Sequence, residues 1–279
     1  MCFRGTFAVT DDCCMDMMNI LRKAKNAVKI FREDGFNRIV FILATEYSLP
    51  IPLSTKSRWK AGIKSEIQYW DAYFRTQGLQ WTDTYKLRFN PDLPLQPRPA
   101  SLLPSQNEIH ILDVGAGPLT WLGKKHEGEN VNITAVDPLA DEYDKILAKY
   151  HIEPLVRTRK LTAENLTKKF SSDTFGLVFA RNCIDHSYNP ETAILQMIDV
   201  TKSGGYVLLE HRPNEAENEN YQGLHQWNFS MSSEGDFLVS SKSDTVNMTR
   251  KYAEICTMTS EIVYEFGEVD WLIVKIQKK

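Results

Sequence analysis

Asp113-Val-Gly-Ala-Gly117 joins an apolar run to a turn nearly bare of side chains, with a carboxylate just ahead of the first glycine. Such a turn lets a ligand reach the backbone, and Pro118 follows where its missing N–H costs nothing because a helix is starting. The dinucleotide pattern G-x-G-x-x-G is met at Gly115 and Gly117, but Thr120 holds the third place. Asp137 ends the next apolar run, twenty residues beyond Gly117, where an acidic side chain can accept hydrogen bonds from both hydroxyls of a ribose. These signals support a nucleoside-bearing ligand and leave its identity open.

A second group of residues could move protons. Asp185 and His186 follow the fourth apolar run of the C-terminal half, and His211 follows the fifth directly. Residues 211–229 then add Asn214, Glu215, Tyr221, His225 and Trp227, so three of the six histidines fall on two loops. Both loops should overhang one sheet edge, where a proton must leave an acceptor hydroxyl. His211 is expected to be the base, with His186 its rival and Asp185 orienting a histidine or binding hydroxyls. No spacing is diagnostic of a metal and no ligand is assigned; the carboxyl–histidine set that could hold a divalent ion is Asp185, His186, Glu210 and His211.

The elements that must position these groups alternate. Residues 109–114, 131–136, 155–159, 175–180 and 206–210 read as short strands, with helices over 140–150 and 191–202 between them. Alternation of this kind predicts right-handed βαβ units and a mostly parallel sheet covered on both faces, with ligands at the carboxyl ends of its strands. Residues 261–266 and 269–276 read as a closing antiparallel pair, after a long polar excursion. Five prolines between Asn90 and Pro104 argue against regular structure there and mark a boundary. The expected division is an N-terminal appendage and lid segment over 1–104 and a ligand-binding α/β domain over 105–279. Within the appendage, a basic amphipathic helix is expected around residues 17–32 and another helix over 65–77, with Tyr85 and Arg88 as contacts over the cleft.

Composition narrows the setting. The 279 residues carry 33 Lys and Arg against 36 Asp and Glu, a formal net charge of −3, and no basic run longer than three. That balance disfavours tight binding to a nucleic-acid backbone, which needs clustered positive charge. The five cysteines are scattered without a C-x-x-C pair, as expected of reduced thiols in a cytoplasmic protein. The longest apolar run, residues 39–44, is too short to span a bilayer, although the basic helix could touch an acidic membrane surface.

The succession DVGAGP, VDP, AENL, FGLVFARN and GGYVLLE resembles the class I S-adenosylmethionine-dependent methyltransferases, a resemblance that covers 108–279. It implies a Rossmann-like methyltransferase fold with S-adenosylmethionine as cofactor. By the same resemblance, Asp113 orients the ammonium group, and Gly115, Ala116 and Gly117 bound the methionine half. Asp137 holds the ribose, Pro138 and Leu139 lie beside the adenine, Ala163 and Glu164 bracket it, and Asn182 sits near the methyl-bearing sulfur. The segments DHSYNP, LEHRPNEAE and YQGLHQWNF, with EIQYWDAYF and PDLPL upstream, are similar to bacterial methyltransferases of surface-glycan biosynthesis. This implies O-methylation of a sugar, nucleotide-sugar or glycan building block. A small natural product or lipid-linked acceptor, or a catalytically silent cofactor-binding module, are the alternatives.

Overall fold

A computed structural model describes residues 55–103, 109–265 and 269–279 of the chain. The basic helix expected around residues 17–32 lies outside the described residues. Three helices come first: α1 (Thr55–Arg75), the short α2 (Thr82–Leu87) and the single-turn α3 (Pro97–Ala100). The strand β1 (His110–Val114) then runs into the glycine turn, and a small hairpin, β2 (Lys125–His126) and β3 (Glu129–Asn130), precedes β4 (Asn132–Asp137). Helix α4 (Ala140–Lys149), the two-residue β5 (Arg159–Lys160) and a 3₁₀ segment (Ala163–Lys168) follow. Next come β6 (Phe175–Arg181), α5 (Pro190–Val200) and β7 (Thr201–His211).

The main sheet has seven strands in the order β11-β12-β7-β6-β1-β4-β5, where β11 is Cys256–Glu265 and β12 is Val269–Lys278. The strands from β5 to β7 run parallel, whereas β12 is antiparallel to both β7 and β11. This is the expected Rossmann-like methyltransferase sheet, closing antiparallel pair included. Its strands are buried on both faces, so they read as apolar runs rather than alternating ones. On one side Leu112, Val178 and Leu209 pack among α5 residues such as Ile194 and Met197; on the other, Ile111, Leu177, Phe179 and Leu208 meet Leu95 and Trp271. Because β4 lies on one side of β1 and β6 on the other, strand order reverses at the end of β1. A crevice opens at such a reversal.

Two expectations change in the structure. The polar excursion after β7 contains a helical turn, α6 (Glu215–Asn218), and its own antiparallel sheet of β8 (Asn228–Met231), β9 (Phe237–Ser240) and β10 (Thr245–Asn247). Alternation is present in β9, where Phe237 and Val239 are buried and Leu238 and Ser240 are not, but four residues are too few to announce it. The third strand shrinks from residues 155–159 to Arg159–Lys160, at the sheet edge, and Leu155 is left exposed.

The proline-rich stretch is more ordered than its composition suggests. Pro97 and Pro99 sit in the single turn α3, whose first-turn amides have no helical partner to lose. Residues 62–279 form one compact unit, so this stretch lies inside it. The Leu95 amide donates to the Lys125 carbonyl at 2.6 Å, and the Gln96 side chain bridges the Trp121 carbonyl and the Gly123 amide at 2.8 and 3.1 Å. Pro94 crosses so close to Gly123 that an added Cβ would stand 2.0 Å from the Pro94 carbonyl oxygen. A backbone cannot step aside as a flexible side chain can. Gly123→Ala is therefore expected to cost about 1–3 kcal/mol or more, the range for overpacking. Urea unfolding would measure it, and an unchanged midpoint would show that residues 93–96 yield freely.

Candidate active site

Gly115 and Gly117 both have positive φ, +68° and +63°, which explains why glycine stands at each. The amides of Gly115 and Ala116 donate back to the Val136 carbonyl at 2.8 and 3.2 Å, tying the turn to the end of β4. Two side chains wall the turn. A Cβ on Gly115 would meet Cys183 Sγ at 2.5 Å, and one on Gly117 would meet the Trp70 ring at 2.7 Å. Trp70 is held in turn by Glu66, to which its Nε1 donates at 2.8 Å.

Asp137 lies buried beside the turn and accepts from the amides of Leu139 (2.8 Å) and Gly117 (3.2 Å). Burial pushes its pKa up to about 7, against the two amide hydrogen bonds and with the Glu66 carboxylate adding to the rise. Asp113, at the end of β1, is raised to about 6 by burial, opposed by a 2.5 Å hydrogen bond from the Thr120 hydroxyl and by the nearby charges of Arg88 and Lys124. Thr120 thus has a use where a dinucleotide site keeps its third glycine. Arg88 donates to the Leu119 carbonyl and stacks near Trp70, Tyr73 and Trp121, with ring centroids 5.5–5.8 Å from its guanidinium carbon. Its Nε and the Nζ of Lys124 are buried without a hydrogen-bond partner. Burial, together with the Arg88 charge, pulls the Lys124 pKa down to about 8. One buried acid and two cations with spare donors fit the zwitterionic end of an amino acid.

The other expected residues fall nearby. Asn182, just past β6, has φ +48°, donates its amide to the Glu210 carbonyl and accepts from the Arg212 amide at 3.4 Å. Leu139 is buried with Tyr73, Phe74 and Tyr143 where α1 packs against α4. Ala163 and Glu164 begin the 3₁₀ segment. Glu164 is buried and accepts from the amides of Tyr188 and Asn189 at 3.1 and 3.2 Å, so it fastens the loop after β6. Tyr85 packs on Tyr73, Phe74 and Phe89 as part of the same aromatic layer.

Past the ends of β6 and β7 the polar groups converge. Asp185, 2% exposed, lies with Oδ1 at 3.2 Å from His211 Nδ1 and Oδ2 at 3.5 Å from His186 Nε2. His225 Nδ1 is 3.8 Å from the same Oδ2 and 3.1 Å from His186 Nε2. Burial alone would raise the Asp185 carboxyl, but the charges of His186 and His211 hold it well below the usual carboxylate range. A carboxylate only accepts, so His211 Nδ1 donates in this hydrogen bond and Nε2 is the ring nitrogen left over. That Nε2 is buried without a partner, and the ring sits edge-on to Phe229. Glu215 faces the cluster as well: burial, then the Asp185 charge, raises its pKa, and its Oε2 also lacks a partner.

Glu210 is not part of this group. Successive strand residues point to opposite faces, so it lies across the sheet from His211. There it pairs with Arg98 at 2.6 Å and with Arg181. Of the four residues that could hold a divalent ion by sequence, Asp185 and His186 lie together and are joined by His225, Glu210 lies across the sheet, and His211 meets Asp185 through its other oxygen. His225 follows β7 by fourteen residues, so only the folded loop reveals its proximity. Tyr221 and Trp227 are committed locally, Tyr221 to Asn228 and Lys242, and Trp227 to the Ser187 carbonyl.

Residues 112–209 match the family model described as "Methyltransferase domain". With the strand order and the turn geometry, this match assigns residues 112–209 to a methyltransferase domain that uses S-adenosylmethionine. S-adenosylmethionine is its cofactor. A search of curated proteins finds no match. Among solved structures, 1,6-didemethyltoxoflavin-N1-methyltransferase of Burkholderia thailandensis, with bound 1,6-didemethyltoxoflavin and S-adenosylhomocysteine, is similar at 13% identity. That likeness covers 83% of this chain and 92% of the other, with a TM-score of 0.46. S-adenosylmethionine-dependent methyltransferases of Thermotoga maritima (16% identity, 74% and 98% covered, TM-score 0.43) and Methanosarcina mazei (15%, 67% and 99%, 0.39) are similar too. Likeness at this level does not extend to the acceptor. Among the described residues no helix is long and apolar enough to cross a membrane.

Proposed function

We propose that the chain methylates a hydroxyl of a sugar, nucleotide-sugar or related glycan building block, with His211 as the base. The observation that supports this is the Asp185–His211 pair: Nδ1 is held by a buried carboxylate while Nε2 has no partner. An amine acceptor can attack through its own lone pair, whereas a sugar hydroxyl needs its proton removed as the new bond forms. The choice of sugar among hydroxyl acceptors is supported by the resemblance of DHSYNP and the 209–229 stretch to glycan-pathway methyltransferases.

S-adenosylmethionine, when bound, supplies an electrophilic methyl group on its sulfonium. Asp113 takes the ammonium end, Arg88 and Lys124 the carboxylate, and Gly115, Ala116 and Gly117 line the methionine half. Asp137 accepts from the ribose hydroxyls; Pro138, Leu139, Ala163 and Glu164 flank the adenine; Asn182 stands beside the sulfur. His211 Nε2 takes the acceptor proton, Asp185 stabilises the imidazolium that results, and His186 is the alternative base. The reading is tested by incubating the protein with methyl-labelled cofactor and a panel of nucleotide sugars and amines, then mapping the label by mass spectrometry. A methyl ether on a sugar is expected. Label on nitrogen with every hydroxyl acceptor inert would overturn it.

A further inference from the structure

Asp185, His186 and His225 form a cluster that hydrogen bonding within the protein does not complete. Their facing atoms, Oδ2, Nε2 and Nδ1, make a triangle with sides of 3.1, 3.5 and 3.8 Å. Donors about 2.0–2.2 Å from a tetrahedral ion lie about 3.4 Å apart, which is the scale of this triangle. Two further observations point the same way. Asp185 Oδ2 is buried without a hydrogen-bond partner, its nearest nitrogens being His186 Nε2 at 3.5 Å and His225 Nδ1 at 3.8 Å, a spacing that an ion between them would satisfy. Its other oxygen is fixed by His211, the outer hydrogen bond that commonly orients a carboxylate ligand.

We infer that Asp185, His186 and His225 bind one divalent transition-metal ion, at a site distinct from the glycine turn and independent of which acceptor is methylated. Two imidazoles and one carboxylate favour zinc, manganese, iron or cobalt over magnesium or calcium, which prefer all-oxygen shells. Three protein ligands leave a coordination position for an oxygen from water or acceptor. Glu215 Oε2, buried without a hydrogen-bond partner, is a further carboxyl oxygen in the same neighbourhood.

The test uses the full chain, stripped with chelator, and metal ions alone as probes. Titration with Zn²⁺ by calorimetry is expected to give one site per chain, and Co²⁺ to give the weak visible bands of a nitrogen–oxygen shell without thiolate charge transfer. His225→Ala, in a partly exposed loop residue, is expected to weaken Zn²⁺ by more than 100-fold. His211→Gln, which loses only the outer hydrogen bond, should cost about 10–100-fold. Thermal unfolding of each variant separates a lost site from a lost fold. Failure of the wild-type chain to bind Zn²⁺, Mn²⁺ or Co²⁺, or unchanged affinity in folded His225→Ala, would overturn the site. Neither result depends on cofactor or acceptor, so the proposed reaction stands or falls separately.

Discussion

His211→Ala is expected to lower kcat by about 10²–10⁴-fold, the usual worth of a general base, and to leave S-adenosylmethionine affinity nearly unchanged. The split follows from position. His211 ends β7 and touches Asp185 and Phe229, whereas Asp113 and Asp137, proposed to hold the cofactor, lie at the carboxyl ends of β1 and β4, Asp113 one residue before the last of β1. The substitution also leaves Asp185 short of a hydrogen bond, so His211→Gln and a thermal melt belong beside it. Steady-state kinetics with an accepted substrate and calorimetry with the cofactor are the two measurements. A near-normal kcat would reduce His211 to a structural contact, and a larger loss in His186→Ala at unchanged metal content would move the base to the loop after β6.

Cofactor binding is expected to weaken about tenfold between pH 8 and pH 6, because the proposed ribose contact is strongest with Asp137 ionised and burial pushes its pKa up to about 7. Asp113, raised to about 6, acts in the same direction on the ammonium. The ligand-free fold responds with the opposite sign. A carboxyl whose pKa is raised by folding contributes stability that is fully present below about pH 4 and is lost as pH rises through 7. The thermal shift produced by S-adenosylmethionine should therefore grow from pH 6 to 8 while the contribution of Asp137 to the free protein declines. Asp137→Asn should flatten much of the pH dependence and lower affinity by about 1–3 kcal/mol. A Kd independent of pH in the wild type, or unmoved in Asp137→Asn, would take Asp137 out of the site.

What the sequence made legible is local. The turn from Asp113 to Gly117 and the acid at Asp137 announce themselves because backbone conformation and strand ends are written in neighbouring residues. Strand order follows from alternation and the handedness of crossovers, so the sheet was readable too. The misses are contacts across distance. Lys124 looks like one of many surface lysines, yet it is buried beside Asp113. Glu210 has the right chemistry for binding, but two arginines claim it. His225 joins Asp185 across forty residues, through a loop whose path no periodicity encodes. Prolines misled in the opposite sense, since Pro94 and Pro97 shape a segment packed against the hairpin.

The Arg98–Glu210 pair has a kinetic meaning. Its partners are 112 positions apart, and Glu210 lies 3% exposed between two guanidinium groups. During synthesis Arg98 leaves the ribosome long before the strand that neutralises it. Residues 94–98 can settle on the hairpin early, but the brace closes only after β7 has docked on β6. Sequence-distant closures of this kind slow folding and prolong exposure of apolar surface. The nascent chain thus passes through an interval in which residues 94–98 can be seated on the hairpin while β7 has yet to dock, and chaperone capture should peak there.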